Sequence, residues 1–316
     1  MLGVGEGDVG FSASKLFFAY GLGNALTFPL AAGASVVLLP DRPTPEAVFA
    51  RLQGEGGLPK PTLFFGAPTL YAALLAAPWP KAPLALRLAS SAGEALPAEL
   101  GRRFRECFGV DIIDGLGSTE MLHIFLSNRP EAVRYGTTGT PVAGYEVELR
   151  DESGRPVGED EIGDLYVRGP SSALMYWADR ARSQETFQGG WTRTGDKYLR
   201  HADGTYTYAG RADDMLKVGG VYVSPFEVEA TLMQHPGVLE AAVIGITDEE
   251  GLVKPMAYVV PRAGASVSAE ELKAFVKARL APYKYPRRIA FVEELPKTAT
   301  GKIQRFRLRE MARGST

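Results

Sequence analysis

Between residues 16 and 125, short apolar runs rich in β-branched and aromatic residues alternate with longer runs that are apolar at helical spacing. The stretches "ASVVLLP", "PTLFFGAP", "LRLASSAG" and "VDIIDGLG" predict strands. "TPEAVFARLQG", opened by a threonine cap, "TLYAALLAAP" and "LPAELGRRFRECFG" predict helices. Alternation of this kind predicts an α/β fold, a mainly parallel sheet covered by helices. Ligands of such sheets sit beyond the carboxyl ends of the strands. Two polar turns fall at such places, "SSAGEALP" (90–97) and "DGLGSTE" (114–120).

The texture changes over residues 136–210, where "YEVELRDESG", "GDLYVRGP", "WTRTGD" and "YTYAGR" are separated by Gly, Asp and Pro turns. Short strands punctuated in this way predict an antiparallel, barrel-like subdomain. After "GRADDMLKVGG" come strand candidates "LEAAVIGIT" and "PMAYVVPR", a helix at "SAEELKAFVKARL", the strand "RIAFVEEL" and a terminal helix, a small α+β arrangement. The expected division is therefore 1–212, with an α/β part at 1–135 and a barrel-like part at 136–212, followed by a C-terminal domain at 213–316.

Residues 16–39, "LFFAYGLGNALTFPLAAGASVVLL", carry no charge and are long enough to cross a bilayer. Glycines, Asn24 and Pro29 interrupt the run, and it ends on Val36-Val37, so a buried helix, a turn and a core strand are expected instead. Acidic Glu6 and Asp8 precede it, unlike the basic start of a secretory signal. The apolar fraction of 45% and charged fraction of 23% are those of a globular chain. A net charge of -2 argues against a dedicated nucleic-acid binder. Residues 284–309 do hold eight Lys/Arg against Glu293 and Glu294, which a solvated face explains as well as a phosphate site does. The one cysteine, Cys107, excludes an internal disulfide, fits a reducing cytoplasm and reads as structural.

Several short motifs carry candidate chemistry. In "DGLGSTE", Gly115 and Gly117 let the backbone approach a ligand closely, and Ser118 and Thr119 offer hydroxyls and amides to a phosphate at a helix start. Glu120 supplies a hard oxygen suited to magnesium; an ordinary acidic helix cap is the alternative. Asp196 in "WTRTGD" can accept two ribose hydroxyls, and Arg211 in "GRADD" can meet the same sugar or a phosphate. The stretch "PKTATGKIQR" resembles a phosphate loop only superficially: Pro296 and Ile303 stand where that loop needs Gly and Ser or Thr.

Taken together and in this order, "SSAGEALP", "GSTE", "GDLYVRGP", "WTRTGD", "GRADDMLKVGG" and "PKTATGKIQR" resemble the adenylate-forming acid–CoA ligase superfamily. Within it, "KLFFAYGLGNALTFPL" and "GSTEMLHIFLSN" look most like the benzoate–CoA ligases. The resemblance implies a cytoplasmic, AMP-forming enzyme that joins benzoate or a related aryl acid to CoA, using ATP and Mg2+. It implies that Gly93, Glu94, Ala95, Asp114, Gly117, Ser118 and Thr119 contact the nucleotide, with Glu120 on the metal. Asp196 and Arg211 would hold the ribose, and Lys302 would bridge carboxylate and phosphate during adenylation. Asp213 would be the hinge of a mobile C-terminal lid. Gly219, Gly220, Tyr283, Tyr285 and Arg287 would contact CoA. Ala19, Tyr20, Gly21, Leu116, Gly117 and His123 would surround the acid, although a lone histidine in "MLHIFL" also suits a packed core.

One departure accompanies the resemblance. Relatives carry a Ser/Thr/Gly-rich phosphate loop upstream of these motifs, and residues 1–316 contain none. The alternatives are a truncated, non-catalytic remnant that binds nucleotide or CoA, half of a split enzyme whose partner chain supplies the missing part, and an adenylating enzyme that loads a carrier protein. Neither nucleic acid nor a membrane is expected as a partner.

Overall fold

The computed structural model describes residues 1–80, 82–219, 221–248, 251–298 and 303–314. The chain divides into two compact units: residues 1–161, 165–194 and 200–207, and residues 162–164, 195–199 and 208–316.

The first unit opens with β1 (Val9–Ser12), α1 (Ala19–Leu22), a π-helical turn (Gly23–Thr27), α2 (Phe28–Ala32) and β2 (Ser35–Val37). It continues through α3 (Pro45–Leu52), β3 (Leu63–Gly66), α4 (Pro68–Ala76), β4 (Leu88–Ser91), α5 (Ala98–Phe108), β5 (Ile112–Gly117), β6 (Ile124–Ser127) and β7 (Thr140–Pro141). These strands form one sheet in the order β2-β1-β3-β4-β5-β6-β7. Pairing is parallel from β2 to β5 and antiparallel at β5–β6 and β6–β7. The helices start where the sequence signals them: Thr44 Oγ1 accepts the Ala47 N–H at 3.3 Å, with Pro45 in the first turn. Helix α5 ends on Gly109 at φ +72°, a left-handed cap that glycine adopts without penalty.

Strand register explains the core. Phe11, Phe64, Ala89 and Ile112 lie side by side across β1, β3, β4 and β5, and all four are fully buried. They belong to the cluster that packs with Val48, Leu52, Tyr71, Leu74 and Phe104 from α3, α4 and α5. One residue along each strand, Leu63, Phe65, Leu88 and Ile113 point to the other face and pack with Tyr20.

The uncharged 16–39 segment differs from expectation. It forms three short helical pieces and the strand β2, which is at the edge of the sheet, not in its middle. Gly21, Gly23, Asn24, Ala25 and Pro29 are buried, but Phe17 is 80% exposed and Leu30 72%. Glycines and proline break the helical period, so only one narrow face of the segment reaches the sheet. No helix among the described residues is long and apolar enough to cross a membrane. Cys107 is exposed on α5.

A second sheet comprises β8 (Glu146–Arg150), β9 (Gly163–Arg168), β10 (Phe187–Gln188), β11 (Trp191–Arg200) and β12 (Tyr206–Arg211), with α6 (Arg180–Thr186) before β10. Its order is β10-β11-β9-β8, with β12 pairing β11. The second unit contains β13 (Leu216–Val218), β14 (Val221–Val223), α7 (Pro225–Leu232), β15 (Val238–Thr247), β16 (Val253–Pro261), α8 (Ala269–Lys277), β17 (Arg288–Phe291) and α9 (Arg305–Gly314). Strands β15 and β16 are antiparallel, and β17 joins β16 in parallel. Period-two alternation serves two cores here. Ala241, Val243, Ala257 and Val259 pack with Val228, Leu232, Leu272 and Val276 of α7 and α8, while Ala242, Ile244, Met256 and Tyr258 pack with Leu308 and Ala312 of α9. Ser268 and Glu271 close a capping box at the start of α8. The expected class, an α/β part with a further antiparallel sheet and a small α+β part, is the one observed.

Candidate functional site

Parallel pairing of β4 with β5 sets Ser90 beside Ile113 and Ser91 beside Asp114, where β4 reaches its carboxyl end. Asp114 is buried, and its carboxyl meets the N–H groups of Gly115 and Leu96 and the Thr138 hydroxyl. Burial outweighs those bonds and pushes the carboxyl well above its ordinary range. Gly93, at φ +90°, turns the chain after β4, and Glu94 and Ala95 follow on the half-buried turn.

After β5 the chain does not enter a helix, contrary to the sequence reading of Ser118-Thr119 as a helix start. It reverses in a tight turn and returns as antiparallel β6. Ser118 Oγ accepts the Met121 N–H at 3.3 Å, the Leu122 N–H reaches Thr119 O at 3.1 Å, and Leu122 takes φ +68°. That conformation is uncommon for a branched apolar side chain and marks a constrained turn. The glycines of "DGLG" serve this reversal. A Cβ on Gly117 would lie 2.5 Å from His123 O, and one on Gly115 would lie 3.0 Å from the Ile124 side chain.

Glu120 stands on the turn, half-buried. Tyr176 donates its hydroxyl to Glu120 Oε1 at 2.6 Å. Burial alone would raise the Glu120 carboxyl, but hydrogen bonds from Tyr176 and Ser118 outweigh it and hold the group below its usual range. The result is a fixed carboxylate with an oxygen to offer. No group of three or more His, Cys, Asp or Glu that could hold a metal occurs among the described residues. A single carboxylate suits Mg2+, which keeps waters and takes phosphate oxygens as its other ligands.

Of the residues expected to surround an acid, Tyr20 and Gly117 lie against His123. Tyr20 of α1 stacks on its ring with centroids 5.5 Å apart, and Phe28 of α2 meets the ring edge-on at 4.6 Å. Tyr20 also donates to Ser90 Oγ at 3.0 Å. His123 Nε2 lies 3.3 Å from Tyr20 O; a carbonyl only accepts, so Nε2 carries the proton. Burial lowers the imidazole pKa, against the pull of that bond, and keeps the ring neutral. Gly23 allows the approach, since a Cβ there would lie 2.4 Å from His123 Cδ2; Gly21 instead makes room for the backbone of residues 14 and 15, as a Cβ there would lie 2.1 Å from Lys15 O. Ala19 lies on α1, and Leu116 and Gly117 on β5.

In the second unit, Arg211 Nη1 donates to Asp196 Oδ1 at 3.1 Å, with the aspartate side chain 10% exposed and the arginine half-exposed. Gly195 at φ +76° leaves room for the guanidinium; a Cβ there would lie 2.9 Å from Arg211 Nη2. Asp213 follows β12, and its neighbour Asp214 pairs with Arg309 and, at 3.8 Å, with Arg305 of α9. Gly219, at φ +59°, turns the β13–β14 hairpin. The Arg287 guanidinium lies 3.8 Å from the centroid of the Tyr285 ring, and Tyr283 is exposed. Gly220 and Lys302 lie outside the described residues.

Sequence reading missed Ser90, Thr138, Phe28 and Tyr176, all of which touch the candidate residues. Tyr176 sits in "ALMYWAD", where neighbouring apolar residues disguise it, and its link to Glu120 spans 56 positions.

The sequence pattern of the AMP-binding enzyme family matches residues 2–177, and that of the AMP-binding enzyme C-terminal domain matches residues 227–302. The chain belongs to the AMP-binding enzyme family. It is 59% identical to a benzoate–CoA ligase of Thauera aromatica, over 98% of this chain and 59% of that protein. A crystal structure of a benzoate CoA ligase from Burkholderia xenovorans LB400 superposes with TM-score 0.90 at 61% identity, covering 98% of this chain and 62% of that one. An anthranilate CoA ligase solved in complex with anthranoyl-AMP superposes with TM-score 0.91 at 48% identity, covering 98% and 61%. The chain thus spans about three fifths of the length of the relatives it matches.

Proposed function

We propose that the chain carries the working parts of an AMP-forming aryl acid–CoA ligase, acting on benzoate or a close aromatic relative. One observation carries the reading. The reversal that holds Thr119 and Glu120 also holds His123, whose neutral ring is walled by Tyr20 and Phe28. Groups suited to phosphate and groups suited to a flat ring thus share one short turn.

In the first step the acid carboxylate attacks the α-phosphate of ATP, a new P–O bond forms and pyrophosphate leaves. In the second the CoA thiol attacks the acyl carbon and AMP leaves. Thr119 would orient the α-phosphate, Asp196 and Arg211 the ribose, and the turn at Gly93, Glu94 and Ala95 the adenine. Bound Mg2+ would offset phosphate charge, held by Glu120. Tyr20, Phe28 and the His123 ring would exclude water from the acid. Lys302 would offset charge that develops during adenylation; removing one such group typically costs about 10²–10³ in rate. Asp213 would act as the hinge that brings Lys302 in for the first step and withdraws it for the second. Gly219, Gly220, Tyr283, Tyr285 and Arg287 would receive CoA. The single cysteine fits a reducing compartment, and we place the protein in the cytoplasm. No partner chain is proposed.

The test is benzoate-dependent AMP release by the purified chain with ATP and MgCl2, with and without CoA. CoA-stimulated release that is lost in Lys302→Ala supports the reading. Release indifferent to CoA would favour a carrier-protein acceptor, and no release from a folded sample would overturn catalysis by this chain.

A further inference from the structure

Residues 169–187 run past the catalytic turn and touch it three times. The Ala173 N–H reaches Glu120 O at 2.7 Å, Ser171 Oγ donates to Met121 O at 2.7 Å, and the Tyr176 hydroxyl donates to Glu120 Oε1 at 2.6 Å. A carbonyl accepts only, so the Ser171 proton goes to Met121, and Tyr145 must donate to Ser171 Oγ across their 2.7 Å contact. The Tyr176 phenol is itself seated. The Arg182 guanidinium lies 4.2 Å from its ring centroid, the Phe187 ring lies 5.4 Å away, and the Tyr176 N–H donates to Ser183 Oγ at 2.9 Å. Helix α6, capped by Asp179 through the Arg182 N–H, presents both Arg182 and Ser183. Among its neighbours Tyr176 alone turns inward: Leu174 is 89% exposed, Met175 62% and Trp177 94%.

We propose that Tyr176 is a positioning residue for Glu120, its hydroxyl holding Oε1 so that Oε2 is presented to the magnesium of MgATP. This rests on the reading of Glu120 as the metal carboxylate. A hydroxyl bound to a carboxylate is among the stronger hydrogen bonds, and it removes the freedom of the carboxylate to rotate. Outer partners of metal ligands act in this way, and their loss typically weakens metal binding about 10–100-fold. Arg182 and Phe187 fix the phenol in turn, which makes a three-layer support from α6 to the carboxylate.

The experiment is calorimetric titration of the full chain with ATP at stepped MgCl2 concentrations, and with no metal, for wild type, Tyr176→Phe, Glu120→Gln, the double variant and Trp177→Ala. Tyr176→Phe should raise the Mg2+ needed for half-maximal ATP binding about tenfold. Metal-free ATP binding and the melting temperature should stay near wild type, because the ring and its seat remain. In the Glu120→Gln background the Tyr176→Phe change should add nothing, and Trp177→Ala should match wild type throughout. Equal loss with and without Mg2+, or losses that add in the double variant, would overturn the positioning role alone. A Glu120→Gln protein with unchanged Mg2+ dependence would overturn the reading of Glu120 and the inference with it.

Discussion

Arg305 donates from Nη2 to both carboxylate oxygens of Glu229, at 2.6 and 2.8 Å, and the Val243 N–H donates to Glu229 Oε1 at 2.7 Å. The start of α9 is thereby tied to α7 and to the middle of β15. Glu229 is 5% exposed, so its charge depends on the arginine. Removing one partner of a buried pair typically costs about 3–5 kcal/mol, because the other charge is left without compensation. Arg305→Met should therefore lower stability by that order in urea unfolding. Adding Glu229→Gln should recover much of the loss, since glutamine keeps an acceptor for Val243 while the stranded charge disappears.

Asp114 gives a pH signature. Burial raises its folded-state pKa, so the folded protein holds a proton that the unfolded chain releases near pH 4. Stability from this group is full below that pH and declines as pH rises toward the folded pKa. Asp114→Asn should flatten the decline, because a neutral amide replaces a carboxyl that burial disfavours as an anion. Melting temperatures between pH 4 and 8 check this; parallel curves for the two proteins would refute it.

His123 runs the other way in charge. Burial depresses its pKa, and the Tyr20 carbonyl only partly opposes that shift. The unfolded imidazole takes a proton near pH 6.5 while the folded one resists. Stability from the neutral ring is present above about pH 6.5 and is lost as pH falls through the folded pKa. In NMR titrations of the three histidines, one should titrate below the ordinary range and vanish in His123→Phe.

Two glycines separate backbone from side-chain crowding. A Cβ on Gly117 meets the carbonyl of His123 at 2.5 Å, whereas one on Gly23 first meets the rings of His123 and Phe28, at 2.4 and 2.9 Å. Overpacking typically costs about 1–3 kcal/mol. Gly117→Ala should fall at the upper end, since β6 cannot withdraw without breaking its pairing. Gly23→Ala should cost less stability but displace the His123 ring, visible as lost shielding of its NMR signals by Tyr20. Equal destabilisation by both would contradict this.

Much of the fold was legible because its signals are local. The Thr44 cap, the Ser268–Glu271 box and the period-two runs of β15 and β16 each sit within a few residues. The candidate residues of the turn were legible for the same reason. What escaped were relations that depend on distant chain returning. The Ser118 turn reads as a helix start until β6 pairs back on β5, and Tyr176 reads as one more apolar residue until its hydroxyl meets Glu120. The 16–39 run showed its apolar content but not its orientation, since broken helices present no single period.

The reversal between β5 and β6 has a consequence for how such a site can diversify. Both flanks of the 118–123 turn are stitched into one sheet, so an inserted or deleted residue would press on the register that sets Leu126 against Leu116 and Ser127 against Gly115. Length is therefore closed to variation here, whereas side-chain identity is not. If the proposed acid site is right, relatives that accept other acids are expected to differ by exchanges around His123, Tyr20 and Phe28 at constant spacing. An engineered library aimed at new ring substituents would do well to hold that spacing fixed.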